Sequence, residues 1–268
     1  WGIVVQPLAF ALGQGSLLEE AYEGTGWLLV GLLQIGVMLA VIGPLQRRWP
    51  VEPLADRAAV RVDVIYTLIH RLGLFKLVMF FTLEALLESA LAPLRALGVG
   101  TWHIDQLWPG VTDTAALSFA LYLVAFDLIN YAIHRAQHRF EWWWALHALH
   151  HSQRQMTMWS DNRNHLLDDA LRDLIFVAVA MAIGVPPGQF VALVALGQLS
   201  ESLQHANVRL GFGRWGERLW VSPRFHRMHH SVGAGHESAG APAPGKRSTA
   251  LGGHNFGVLL PWWDIALG

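Results

Sequence analysis

Eight of the fourteen histidines in this 268-residue chain fall in three short groups. His134 and His138 form "HRAQH"; His147, His150 and His151 form "HALHH"; His226, His229 and His230 form "HRMHH". On a helix, an i, i+4 pair shares a face. The HxxHH spacing adds an i+3 member, which predicts that all three imidazoles converge on one point. Neutral imidazole is a ligand for Zn, Cu, Fe and Ni. Eight of them exceed what one tetrahedral zinc can use, and they suffice for two metals sharing a pocket. Without a metal, imidazoliums packed this closely would repel one another. One HxxxH alone is a weak signal, whereas one HxxxH and two HxxHH beside apolar segments indicate metal binding.

The remaining composition says where such a site sits. Hydrophobic residues make up 53% of the chain, mean hydropathy is +0.33, and charged residues reach only 15%, against about 25% in ordinary soluble domains. A net charge of −1 and a pI near 7.0 give no basic footprint, so no nucleic-acid partner is expected. The absence of cysteine excludes disulfides, thiolate metal sites, iron–sulfur clusters and a cysteine nucleophile. Thirteen tryptophans suit a protein anchored at two water–lipid interfaces. The chain begins at Trp1, which points to a processed or trimmed start. Its first apolar stretch lacks the basic n-region of a signal peptide.

Four apolar segments must carry the histidines. Residues 26–45, "GWLLVGLLQIGVMLAVIGPL", hold no charge and meet the length of about 20 residues for a transmembrane helix. Residues 62–94 carry His70, Arg71, Lys76, Glu84 and Glu88, which predicts a crossing whose polar positions face protein. Residues 114–133 hold one acid, Asp127. Residues 170–208 are interrupted at "GVPPG", where two prolines break a helix, predicting a membrane hairpin of two shorter helices. Glu19, Glu20 and Glu23 precede the first span, and Arg47, Arg48, Arg57 and Arg61 follow it. Arginines also follow the third span (Arg135, Arg139, Arg154, Arg163) and the hairpin (Arg209, Arg214, Arg218, Arg224, Arg227). The 95–113 loop has Arg95 against Asp105 and Asp113. The positive-inside rule therefore puts both HxxHH groups on the cytoplasmic side. The expected fold is all-α: a polytopic membrane helical bundle with a cytoplasmic-side helical cap holding a histidine-rich dinuclear metal site. Residues 1–113 are expected to form N-terminal membrane helices and an outer loop. Residues 114–268 would form the histidine-bearing catalytic region, integrated with those helices.

The order HxxxH, HxxHH, then a distant HxxHH resembles the integral-membrane fatty acid hydroxylase and sterol desaturase superfamily. "FDLINYAIHRAQH", "SPRFHRMHH" and the closing "HNFGVLLPWWDIALG" are similar to its motifs, and the likeness covers roughly residues 114–268. It implies a histidine-ligated pair of irons that uses O2 as co-substrate. It also implies two further ligands, His165 in "NRNHLLDD" and His205 in "LQHANV". His254 adjoins the closing motif and is expected behind the ligands or, as the lesser alternative, among them, with Asn255 and Asp264 bracing that segment. Asp127 lies seven residues before His134 and Glu201 four before His205, so both acids are expected to orient imidazoles through their second N–H. The Gly/Ala/Pro-rich stretch 232–254 is longer than the family pattern, and reads as a lid over the site or an insertion.

The resemblance implies an O2-dependent membrane lipid oxidoreductase that hydroxylates, or alternatively desaturates, a C–H bond of a fatty-acyl, sterol or related lipid. Hydroxylation is the preferred reading. No GxGxxG-type nucleotide loop follows a strand and no segment is spare for a haem or flavin domain, so a separate electron-donor protein is expected. A membrane zinc hydrolase would need a general-base glutamate as in HExxH, which is missing. A non-catalytic metal-binding or transport protein would spread its ligands across the bilayer rather than gather them on one side. Zinc is expected to occupy such imidazoles readily in purified protein. An excess of arginine over lysine and abundant alanine suggest a bacterial inner membrane.

Overall fold

The computed structural model describes residues 1–75, 85–97, 100–231 and 254–268, and contains no strand among them. The stretch 232–253, most of the expected lid or insertion, lies outside the described residues. A short helix α1 (Val5–Ala11) leads into α2 (Gly15–Arg48), a 34-residue helix. In α2, Gly31, Gln34, Met38 and Ile42 are buried, a stripe at helical spacing, while Leu29, Leu32, Leu33 and Leu39 are exposed. Gly31 is required for the contact with the next helix. A Cβ there would overlap the Arg71 carbonyl group, so any side chain would push the helices apart. Toward its end α2 widens into a π turn, Met38–Ile42, where the Gly43 N–H bonds to the Met38 carbonyl. Pro44 follows, and its ring and missing N–H are tolerated where the helical ladder is already displaced.

Helix α3 (Arg57–Arg71) is capped by Asp56, which accepts from the Ala59 N–H at 2.9 Å. Its buried residues are Asp63, Thr67 and Arg71, a polar stripe every four residues. These positions do face protein, as their composition predicts. The middle of the expected crossing over 62–94 lies outside the described residues; within them, α3 stops at Arg71 and Gly73 turns the chain at φ 81°. The helix is short and amphipathic because its polar stripe bonds inward: Arg71 reaches Asp161 and Ser202, and Asp63 reaches Arg163 and Ser160. Helix α4 (Ala85–Ala96) follows, after residues 76–84, which lie outside the described set.

Helix α5 (Ala115–Arg139) runs unbroken for 25 residues. Among the described residues, α2 and α5 are the helices long and apolar enough to cross a membrane by length and composition. Helix α6 (Glu141–His147) turns back from the end of α5. The proline pair yields the expected hairpin, α7 (Leu166–Ile183) and α8 (Pro187–Gln204), with Gly184 at φ 69° between them. Tyr122 and Phe126 of α5 pack with Leu193 of α8, flanked by Phe176 and Phe190. Helix α9 (Pro223–His229) is capped by Ser222, which accepts from Phe225 N–H, and α10 (Trp262–Leu267) ends the chain. The all-helical architecture expected from the sequence is present, with the histidine-rich cluster in the C-terminal region.

Candidate metal centre

Nine histidines converge from five places in the fold. His134 and His138 stand on the last turns of α5, and His147 ends α6. His150 and His151 lie in the 3-10 turn that follows, and His205 sits just past α8. His226 and His229 are on α9, with His230 at its end. Their ligand atoms sort into overlapping groups, each within 4.8 Å: His134, His138, His147 and His151; His150, His205, His226 and His230; and His151, His229 and His230 across the junction.

The expectation that each HxxHH converges on one point is corrected. At about 100° per residue, i+4 lies about 40° to one side of i and i+3 about 60° to the other, so i+3 and i+4 point about 100° apart. His147 and His151 accordingly join the first group while His150 joins the second. His226 and His230 join the second group, while the His229 ring lies 4.4 Å from that of His134 and 4.7 Å from that of His138. Each motif therefore serves both groups, in opposite senses. Both motifs also end alike: the Ser152 hydroxyl donates to the Leu149 carbonyl and the Ser231 hydroxyl to the Met228 carbonyl, each at 2.6 Å. The two serines close the turns.

The ring nitrogens have defined roles. A carbonyl can only accept, so Nδ1–H donates from His134 to Phe256 O (2.9 Å), from His205 to Glu201 O (2.8 Å) and from His229 to His254 O (2.8 Å). His147 Nδ1 faces the Asp168 carboxylate at 3.1 Å. A neutral imidazole with its proton on Nδ1 keeps a lone pair on Nε2. His205 Nε2 stands 3.1 Å from His150 Nε2 and 3.1 Å from His226 Nε2, which is itself 3.1 Å from His230 Nε2. Nitrogens bound at about 2.0–2.1 Å to one metal lie roughly 3.0–3.4 Å apart, so this donor set fits a metal ion. Burial first, and then neighbouring imidazoles, hold His150, His151, His226, His229 and His230 well below the usual histidine range. Burial also lowers His205. All six are neutral at pH 7, the form that ligates.

His165 is not brought to either group. It is exposed, and its Nδ1 accepts the Leu167 N–H at 3.2 Å as the cap of α7. A neutral imidazole accepting there carries its proton on Nε2. Asp127 is likewise corrected: it accepts from the Leu259 and Leu260 N–H groups and from Trp263 Nε1 rather than from a histidine. Glu201 orients His205 through its carbonyl oxygen, not its carboxylate. His254 also contributes its carbonyl, and Asn255 sits at φ 61° between the two carbonyls that receive His229 and His134. Asp264 braces the segment, accepting from the Phe256 and Gly257 N–H groups. The carboxylate that faces a candidate ligand is Asp168, which also accepts from Gln137 Nε2 and Trp143 Nε1. Sequence reasoning missed it, although the "DD" in the first turn of an apolar helix was a signal.

One cavity adjoins the clustered histidines and a second lies next to it. The smaller, about 40 Å³, is bounded by His134, His147, His150, His205 and His226. The larger, about 140 Å³, runs between α5, α7 and α8. Asn130, Asp161, Asn164, Arg172 and Glu201 line both and form a polar neck between them.

Comparison with known proteins agrees with this arrangement. The fatty acid hydroxylase family profile matches residues 119–268. The ornithine lipid hydroxylase OlsE of Rhizobium tropici is 27% identical over 164 residues, 61% of this chain and 44% of that protein. The alkylglycerol monooxygenase of Caenorhabditis elegans is 27% identical over 104 residues, 39% of this chain and 20% of that protein. The chain thus spans less than half the length of these relatives. No solved structure matches it significantly. The profile covers more than half of the chain and all nine clustered histidines, and the chain belongs to the fatty acid hydroxylase family.

Proposed function

We propose that this fatty acid hydroxylase family member is a membrane lipid hydroxylase that uses two irons and O2. The observation that carries the reading is the set of nine clustered imidazoles, four of them with Nδ1 on a carbonyl or carboxylate. His134, His138, His147 and His151 would hold one metal and His150, His205, His226 and His230 the other, with His229 at the junction. When bound, the metals supply the reduction of O2 and the oxidation of an unactivated C–H bond. The overall change is R–H + O2 with two electrons and two protons, giving R–OH and H2O. The electrons come from a separate donor protein.

The protein's own contribution is positional. Acceptors behind the imidazoles hold each ring in one tautomer and orientation, as outer partners of metal ligands generally do. Tyr122, Phe126 and Leu193 pack the helices around the larger cavity, and such apolar walls keep water from a reactive site. The exposed leucines of α2 and the arginine distribution support a chain embedded in a bacterial inner membrane with the histidines at its cytoplasmic face.

The test is lipid analysis of cells with and without the protein, together with metal analysis of the pure chain. A lipid gaining one oxygen atom, made only when O2 is supplied, and about two metals per chain are expected. Loss of two hydrogens would replace hydroxylation by desaturation. Product formed without O2 would end the reading.

A further inference from the structure

We propose that the site takes its lipid by a protonated amine, held in the polar neck beside the histidines while the hydrocarbon lies in the apolar end of the larger cavity. The proposal rests on the lipid hydroxylase reading and names its substrate class. The larger cavity has two unlike ends. One is lined by Leu123, Phe126, Phe176, Phe190, Leu193 and Val194, and suits an alkyl chain. The other presents Asp161, Asp169, Asp173, Glu201 and Arg172. Arg71 stands behind Asp161, at 2.8 Å. Four carboxyl groups thus meet two guanidiniums, with His70 beside Asp169, so two carboxyl groups have no guanidinium of their own to pair with.

The neck decides what can approach the metals. Arg172, Glu201 and Asp161 line it together with two asparagines. A bare hydrocarbon passing through would desolvate these groups without replacing any hydrogen bond. The part of the substrate in the neck is therefore polar.

An independent observation fixes the kind of polar group. Gln204 is 1% exposed, borders the histidine chamber, and its Oε1 has no hydrogen-bond partner. Its Nε2 donates to the Val258 carbonyl at 2.7 Å. A carbonyl can only accept, so the amide cannot be turned to satisfy Oε1. Asp169 Oδ2 is also buried without a hydrogen bond, with His70 Nε2 at 3.4 Å. Gln204 Oε1 is thus an acceptor without a donor, and Asp169 Oδ2 has only the long contact to His70. An ammonium brings three donors, no acceptor and a positive charge. A carboxylate or phosphate would add acceptors to acceptors, and a hydroxyl brings one donor and no charge to pair with the surplus carboxyl groups. The chamber of about 40 Å³ opens on the neck, so the oxidised carbon lies close to the amine-bearing part of the lipid rather than far along its chain.

The test uses the full chain in detergent, loaded with zinc so that binding is read without turnover. Dodecylamine, dodecanol and dodecanoate are titrated near neutral pH by calorimetry. The amine should bind about tenfold more tightly than the alcohol, the order that one charge-assisted hydrogen bond supplies. The carboxylate should bind most weakly. Glu201→Gln and Asp169→Asn should each remove most of the amine preference and leave alcohol binding in place. Adsorption of amine to the micelle is common to all variants, so their difference reports the cavity. Equal or tighter binding of the alcohol or carboxylate by the unaltered chain would overturn the proposal, whatever the variants do. So would an amine preference retained in both variants. Because the zinc form without a donor cannot turn over, a failure here leaves the hydroxylase reading standing. Amine selectivity with no oxygenated lipid in cells would instead count against that reading alone.

Discussion

His134 Nδ1 donates to the carbonyl oxygen of Phe256 at 2.9 Å, joining the last turns of α5 to a segment 122 residues further on. Two residues earlier in that segment, the His254 carbonyl receives His229. Between them Asn255 holds a φ of 61°, the one positive value outside glycine among the described residues. An L-residue other than asparagine is strained there by about 1 kcal/mol or more. Asn255→Ala should therefore lower the melting temperature and speed metal loss to a chelator, and Asn255→Gly should restore most of both. Equal losses in the two variants would shift the role to the Asn255 side chain, which donates to the Phe225 carbonyl at 3.2 Å.

His205 and His165 separate a clustered ring from a distant one. His205→Ala removes one of the four nitrogens of its group and should bring metal content from about two ions per chain toward one. His165→Ala should retain full metal and cost about 1 kcal/mol or less, as loss of a weak helix cap. Metal analysis beside a denaturation curve distinguishes them. Metal loss in the His165 variant would contradict the assignment.

Asp168 should matter beyond its charge. Its carboxylate accepts from Gln137 Nε2 and Trp143 Nε1 and faces His147 Nδ1. Asp168→Asn keeps the shape but puts an N–H among three donors, so one must turn away. Metal affinity should fall by about 10–100-fold, the usual cost of losing an outer partner. Competition with a chelator of known affinity measures it, and unchanged affinity would show that His147 needs no carboxylate.

Acid should weaken the metal-free protein steeply. His150, His151, His226, His229 and His230 lie well below the ordinary histidine pKa in the fold, through burial first. Unfolded, each returns to about 6.5. Below that value the unfolded chain binds more protons than the folded one. Stability is thus fully present above about pH 6.5 and is lost as pH falls toward the folded pKa values, by up to about 1.4 kcal/mol per pH unit for each group. Protons also compete with metal for the same lone pairs. Denaturation midpoints across this range should drop, and a flat profile would mean that the imidazoles are not buried together.

The sequence by itself determined the helical class, the hairpin at the proline pair and eight of the nine clustered imidazoles. Those features depend on local spacing: an apolar run, a missing N–H, an i, i+4 face. It also carried His205, through resemblance to the family. Only the tertiary structure decided how the rings divide. Neighbouring residues of a helical turn point about 100° or more apart, which parts His150 from His151, yet which group receives it depends on where α8 and α9 end. Tertiary contact likewise excluded His165 and redirected Asp127 to the C-terminal backbone. It also brought Asp168 to His147. Spacing along one helix constrains direction around its own axis. What lies opposite a side chain is set by a second segment, whose distance in sequence bears no relation to its distance in space.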